Sequence, residues 1–560
     1  MTTARPRAAR RPSLRSRPAL TADSCPTLAP GVAFEEAGGA WLATIHGVPS
    51  SRLSRTVVDL LTAMDGRTPL QALHGRFAPA EPAEGFLRLI ERFRDNGLLA
   101  GDARRQPGRL TYRPPFTVQV ATLRAAALFA RLDRAIIPVP RRVLRVGVGA
   151  VLGAGMLAAA VQADELRSAL SRPVPLLGLL VVLVALALTT LLHEAAHGLT
   201  LTRLGGRPRR AGVMLFYLTP AFFVDVTDGW RLADRRHRVA VALAGPAVHG
   251  VVAALALLAA LAVPRSPTRE TLQILALACL VVVLVNLIPF VRFDGYLALM
   301  SALDEPNLRG RAIRDGANAL SRVLFGGART PRSLNRWWSA PFGLASLVTP
   351  VVLVLLAVTR AAQALSAGGP GAGLFVVAME ATVAAVGVVL LGRALVRVVR
   401  AGASRIRVLT VTVVLATSLA VAGSLIPVPL TATLGFSVEG GRVVLVRAEG
   451  DGGAAIPDGA PVILQTRGLL GTEQRGEGTV RARPVAGAAV PVEALFPVRV
   501  TGAMVPAEIV ADVEVTGGAG ALPPAGQARV ALGESPLWAA LWRMAIVSPL
   551  SGFGNEEERG

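Results

Sequence analysis

Two histidines and a glutamate close a long apolar run. Residues 176–200 read LLGLLVVLVALALTTLLHEAAHGLT, and the first 17 of them are almost wholly apolar, near the minimum length for crossing a bilayer core. His193 and His197 stand four apart, so on a helix they project from one face, one turn above the other. That spacing suits two imidazoles sharing one zinc ion per chain, with Glu194 beside the metal as general base for a bound water. Ionisable groups within a membrane span are costly and usually functional. The plainer alternative is a pair of helix-end histidines solvated by headgroups.

Zinc held by two histidines needs a third protein ligand, leaving a fourth position for water. The best candidate is Asp294, 97 residues after His197 in the stretch VNLIPFVRFDGY. If both apolar runs enter from the same side, His193 lies 18 residues past Pro175, about 27 Å deep at a helical rise of about 1.5 Å. Asp294 lies 23 residues past Thr271, up to about 35 Å deep, and less if Pro289 breaks the helix. The depths agree, which puts the expected site inside the membrane toward its cytoplasmic face. His249, in AGPAVH, is a satisfied interior histidine, a substrate contact or an alternative ligand. Glu380 is another ionisable group in an apolar run, expected in a pairing or packing role.

The bulk composition supplies the setting. Of 560 residues 52% are hydrophobic and only 17% charged, against about 25% charged in soluble domains, and mean hydropathy is +0.51. Apolar spans are expected near 144–162, 174–200, 239–263, 271–290, 341–359, 373–392 and 408–427. The net charge is +22 and every basic residue is arginine. Most of these arginines flank the spans, so topology and anionic lipid explain them better than nucleic acid does. The 291–338 loop holds eight arginines against four acids and 393–407 holds five and none, while 163–172, 264–270 and 360–372 carry net charges of 0, +1 and +1. The expected topology is therefore N-terminus in the cytoplasm, seven crossings, and C-terminus outside. Both flanks of residues 212–227 are basic, so this run, broken at Pro220, should be a re-entrant or interfacial strand pair. Cys25 and Cys279 suggest neither a disulfide framework nor a cysteine metal site.

Around this core lie three other regions. Residues 1–25 form an Arg/Pro-rich tail expected to be disordered. Residues 26–108 read as a compact α+β domain, with a hairpin at Gly38-Gly39 followed by helices around 52–65, 69–77 and 82–97. Residues 428–560 carry 10 arginines against 14 acids. Their alternating runs, such as RVVLVRA and IVADVEV, predict an extracytoplasmic β-domain, with a surface helix at SPLWAALWRMAIV. The fold class is thus a mainly α-helical polytopic membrane protein, its spans within 140–427, with an N-terminal winged-helix domain and a C-terminal β-domain.

HEAAH at 193–197, AGPAVH at 244–249 and NLIPFVRFDGY at 286–296 together resemble the site-2 protease family of intramembrane zinc metallopeptidases. The longer stretch from His193 to Trp230 resembles its bacterial peptide zinc metalloprotease branch. Residues 30–105, with TVVDLLTAMDGRTPLQAL and LIERFRDNGLLAG, resemble the PqqD-like domains that bind leader peptides of ribosomally made natural products. The resemblance implies that His193, His197 and Asp294 bind zinc, that Glu194 is the base, and that Asn286 helps hold the substrate backbone. His249 departs from it, since many site-2 proteases have Asn there. The implied activity is hydrolysis of a peptide bond in a membrane-associated peptide or single-span substrate, as in leader removal. Proteases of this kind process the daptides, modified hydrophobic helical peptides, and such a substrate would suit this chain. Regulated cleavage of an anti-sigma-type membrane protein is the first alternative, and a non-catalytic scaffold or export partner the second.

Overall fold

The computed structural model describes residues 20–547 and Pro549, apart from 38–39, 101–107, 114–116, 137–138, 217–218, 327–331, 335, 366–368, 450–455, 470 and 519–521. Two compact units are formed, Met1–Ile136 with His197–Val241, and Ile137–Ala196 with Ala242–Gly560. Their division falls inside two long helices, which therefore contribute to both.

Strands β1 (Val32–Ala37), β2 (Ala40–Ile45) and β3 (Val48–Leu53) pair antiparallel in that order. Ala37 faces Ala40 in the ladder, so the expected hairpin is present, although Gly38 and Gly39 themselves lie outside the described residues. β3 was not expected, and it delays the first helix. Helices α1 (Arg55–Thr62), α2 (Leu70–Phe77) and α3 (Ala83–Asp95) follow. Ser54 caps α1 by accepting from the Val57 N–H, satisfying one of the donors that a helix start leaves open. The apolar positions at helical spacing converge on one core that includes Leu61, Leu73, Phe86, Ile90 and Leu99. Part of the expected basic tail joins this domain. Leu70 and Gln71 donate their amides to the carbonyls of Ser24 and Ala22 at 3.0 and 2.8 Å. Residues 1–19 lie outside the described residues.

Next come β4 (Leu110–Arg113), β5 (Thr117–Thr122) and α4 (Ala125–Ala135). The first two long apolar helices follow, α5 (Arg141–Val161) and, after α6 (Ala163–Ser171) and the short strand β6 (Val174–Pro175), α7 (Leu176–Arg203). The segment at 212–227 is indeed a strand pair, β7 (Ala211–Phe216) with β8 (Thr219–Val224). It belongs to a four-stranded sheet in the order β4-β5-β7-β8. Arg210 ties this sheet together, donating to Gln119 Oε1, the Gly108 carbonyl and Thr111 Oγ1.

Five more long apolar helices make seven among the described residues, α8 (Arg235–Ala262), α9 (Pro267–Asn286), α12 (Ser339–Leu365), α13 (Gly369–Arg400) and α14 (Arg405–Leu425). Between α9 and α12 lie α10 (Asp294–Leu303) and α11 (Leu308–Phe325). The seven are long and apolar enough to cross a membrane, and Leu177, Val184, Val388 and Leu409 stand exposed on them. Such faces suit lipid, because a helix bonds most of its backbone groups internally. Where α5, α8 and α9 meet, the contact is made by small residues, Ala158, Ala253, Ala256 and Ala276 among them. A Cβ on Gly155 would fall 2.3 Å from that of Ala254. Small residues bring backbones close where no hydrophobic drive separates helix from lipid.

The C-terminal region is a closed barrel of six strands: β9 (Pro427–Glu439), β10 (Arg442–Ala448), β11 (Pro461–Gln465), β12 (Gln474–Pro491), β14 (Met504–Gly517) and β15 (Ala525–Pro536), around the order β10-β14-β12-β11-β15-β9. Closure removes the open edges. Alternate side chains fill the interior, including Phe436, Leu445, Leu464 and Val530. A short helix α15 (Val492–Leu495) precedes β13 (Val498–Arg499), which leaves the barrel and pairs in parallel with β6. The helix expected near 535–547 forms as α16 (Leu537–Trp542) and a following π turn. It packs on a membrane helix, with Trp538 Nε1 donating to the Ala420 carbonyl at 3.0 Å over Gly423.

Candidate metal centre

Helix α7 carries both histidines of the His193–His197 pair, and each is buried. Their relative placement follows from the helix itself, because positions i and i+4 share a face. The third partner arrives through a break in the chain. α9 ends at Asn286, ahead of Pro289, and Asp294 is the first residue of the new helix α10. The break expected at Pro289 is present, three residues earlier, so the aspartate starts a separate element and does not end a span. This start is tucked tightly against the end of α9. A Cβ on Gly295 would lie 2.4 Å from the Leu287 carbonyl oxygen, a separation that only glycine tolerates.

His193 Nε2 stands 3.1 Å from Asp294 Oδ2. One ligand atom each from His193, His197 and Asp294 lie within 4.8 Å of one another. Two tetrahedral ligands at about 2.0–2.1 Å from zinc are roughly 3.4 Å apart, so the three can converge on one ion with little movement. His197 Nδ1 lies 2.6 Å from the Val241 carbonyl. Since a carbonyl only accepts, Nδ1 must carry the proton, which leaves the lone pair on Nε2. This is the tautomer a metal ligand needs, held by the usual backbone partner. Pro246 in α8 leaves the carbonyl of Ala242, next to Val241, without its helical donor and loosens the ladder there. The donor set of two imidazoles and one carboxylate matches that of hydrolytic zinc sites.

Two neighbours bear on the chemistry. Glu194 follows His193 on α7 and is partly buried. His249, on α8, is fully buried, and its ring centroid lies 5.3 Å from that of His193, edge to face. Neither ring nitrogen of His249 has a hydrogen-bond partner among the described residues. Buried polar groups are rarely left this way. Asn286, by contrast, turns back on its own helix, donating Nδ2 to the Val282 carbonyl at 3.0 Å. Glu380 on α13 has a buried carboxylate oxygen with no partner among the described residues.

Helix α4 supports the centre as well. Phe129, buried on α4, lies against Gly198, where a Cβ would meet its ring at 2.5 Å. Arg203, at the end of α7, is paired with Asp133 of α4 at 2.7 Å. This short helix therefore fixes the end of α7 immediately after His197. The signal was available in ATLRAAALFARLDRA, whose apolar positions recur at helical spacing, but the run is too short to stand out beside the long spans. No protein-family model, curated protein or solved structure matches this chain.

Proposed function

We propose that this chain is an intramembrane zinc metalloendopeptidase that cuts a membrane-associated peptide or single-span substrate, in the maturation of a ribosomally made peptide. The observation that carries the proposal is the convergence of His193, His197 and Asp294 from apolar elements. When bound, zinc would polarise a carbonyl and bring the pKa of water toward about 7. His193, His197 and Asp294 would hold it, and the Val241 carbonyl would keep His197 in the ligating tautomer. Glu194 takes the proton of the attacking water and returns it to the leaving amine. His249, as a neutral imidazole, donates a hydrogen bond to the scissile carbonyl oxygen as negative charge develops there.

A helical substrate has its carbonyls bonded internally and must unwind before it is cut. β8 forms an edge of its sheet, and an unwound segment can add to that edge as a further strand. The N-terminal domain, by its resemblance to PqqD-like modules, recognises the leader from the cytoplasm, and the barrel lies outside. The charge asymmetry of the loops supports that orientation.

The test is Glu194→Gln, which keeps volume and hydrogen bonding but cannot accept the proton at neutral pH. Loss of a general base is worth about 10²–10⁴ in rate. Co-expressed with a candidate precursor peptide, the wild type should give a trimmed product by mass spectrometry and the variant the intact precursor. Equal trimming by both would show that another protease cuts, and export of uncut peptide by both would favour the scaffold.

A further inference from the structure

Within the second unit the barrel meets the start of the membrane helices around a cavity of about 410 Å³. This falls in the size range of ligand sites, about 300–1,000 Å³. Arg172, Arg467, Arg475 and Arg499 line it, against one carboxylate, Glu493. Two of these cations are already neutralised, Arg475 by Glu473 and Arg499 by Glu270, each at 2.8 Å. Arg172 and Arg467 form no ion pair among the described residues. Arg467 is the more telling, because its guanidinium donates only to the carbonyls of Leu495 and Leu434, both at 3.0 Å. Its buried Nε has no partner among the described residues, and burial pushes its pKa down to about 10, so it remains charged at neutral pH. A half-buried cation with neutral partners is costly, and an anion beside it offsets that cost.

The position of the cavity narrows the ligand. Arg172 comes four residues before α7, and Glu270, which holds Arg499, lies in the first turn of α9. The cavity therefore stands where two apolar spans begin, at headgroup level. The adjoining larger cavity, about 540 Å³, shares Arg172 and Arg499, but its Arg269 is paired with Glu165 at 2.8 Å and its Arg265 with the same carboxylate. Arg467, whose partners are all neutral, lines only the smaller cavity. We infer that this smaller cavity binds a phosphate anion, presented by an anionic phospholipid headgroup or as free phosphate. Guanidinium groups suit phosphate because their planar donors bond it in pairs.

The full-length chain in neutral detergent is titrated with dioctanoyl phosphatidylglycerol, with dioctanoylglycerol and with inorganic phosphate, and bound equivalents are counted by native mass spectrometry or calorimetry. One equivalent of phosphatidylglycerol should bind, and dioctanoylglycerol, with the same tails and no phosphate, should not. Arg172→Gln should weaken binding roughly tenfold or more, the worth of a charge-assisted hydrogen bond. Arg172 is exposed and its side chain makes no bond among the described residues, so this variant tests the site even where Arg467→Met, which frees two part-buried carbonyls, fails to fold. Tighter binding of the lipid than of inorganic phosphate assigns the headgroup, and equal binding assigns free phosphate. Phosphatidylglycerol held no better than dioctanoylglycerol, or held equally by wild type and Arg172→Gln, overturns the inference.

Discussion

At the scale of residues, the candidate metal centre divides into groups placed to hold an ion and a group placed beside them. His193, His197 and Asp294 have their ligand atoms within 4.8 Å of one another, whereas His249 is fully buried with both nitrogens unpartnered among the described residues. These roles separate by substitution. His193→Ala or His197→Ala should lose most of the zinc from the purified chain by elemental analysis, since two protein ligands retain zinc poorly. His249→Phe keeps a ring of similar bulk and breaks no protein hydrogen bond, so zinc content and melting temperature should stay near wild type. Turnover should nonetheless fall about 10²-fold, the usual worth of an oxyanion donor. Unchanged turnover in that variant would reduce His249 to packing. Zinc loss in it would make the residue a ligand.

At the scale of elements, what was legible in the sequence was what is local. An apolar run declares its helix because each residue faces lipid or a neighbour over many turns, and each of the seven expected spans overlaps an observed helix, although α12 and α13 run on six and eight residues further. His193 and His197 followed from one period of that helix. The remaining elements depend on partners distant in sequence. β3, with Pro49 and two serines, has no strand pattern of its own and is fixed by pairing with β2. β4 and β5 are strands because Thr117–Thr122 finds Ala211–Phe216. The start of α10 was hidden because its sharp entry depends on one missing Cβ. Gly295→Ala places a methyl against the Leu287 carbonyl and should push the start of α10 away from α9. Overpacking of this kind costs about 1–3 kcal/mol, and moving Asp294 should weaken zinc binding at the same time. Gly387→Ala on α13 meets nothing within 4 Å and should leave both melting temperature and zinc content unchanged. A Gly295→Ala chain with wild-type zinc affinity would show that the carboxylate is not held by this contact.

At the scale of the whole molecule, charge decides which way the spans run. Residues 428–560 carry a net −4 and the residues before them +26. Each arginine-dense loop alternates with a nearly neutral one along the seven apolar helices, the pattern that a preference of arginine for the cytoplasmic side would give. The barrel and the 401–404 turn between α13 and α14 should then lie on opposite sides, because α14 alone separates them. Both sites can be marked with minimal disturbance. Glu439 is exposed at the end of β9, and Ser404 is exposed and caps α14 without a side-chain bond. In a Cys25→Ser background, Glu439→Cys should react with an impermeant maleimide on intact cells. Ser404→Cys should react only after permeabilisation, and buried Cys279 should give little signal in either case. The same orientation sets the depth of the metal centre. His193 lies 18 residues into α7, counted from Pro175, so with the helix starting outside it sits near the cytoplasmic face, on the side from which a newly made precursor would come. Labelling of Ser404→Cys on intact cells, with Glu439→Cys protected, would turn the chain over and move the centre to the outer half of the membrane, and a leader-reading role for the N-terminal domain would fall with it.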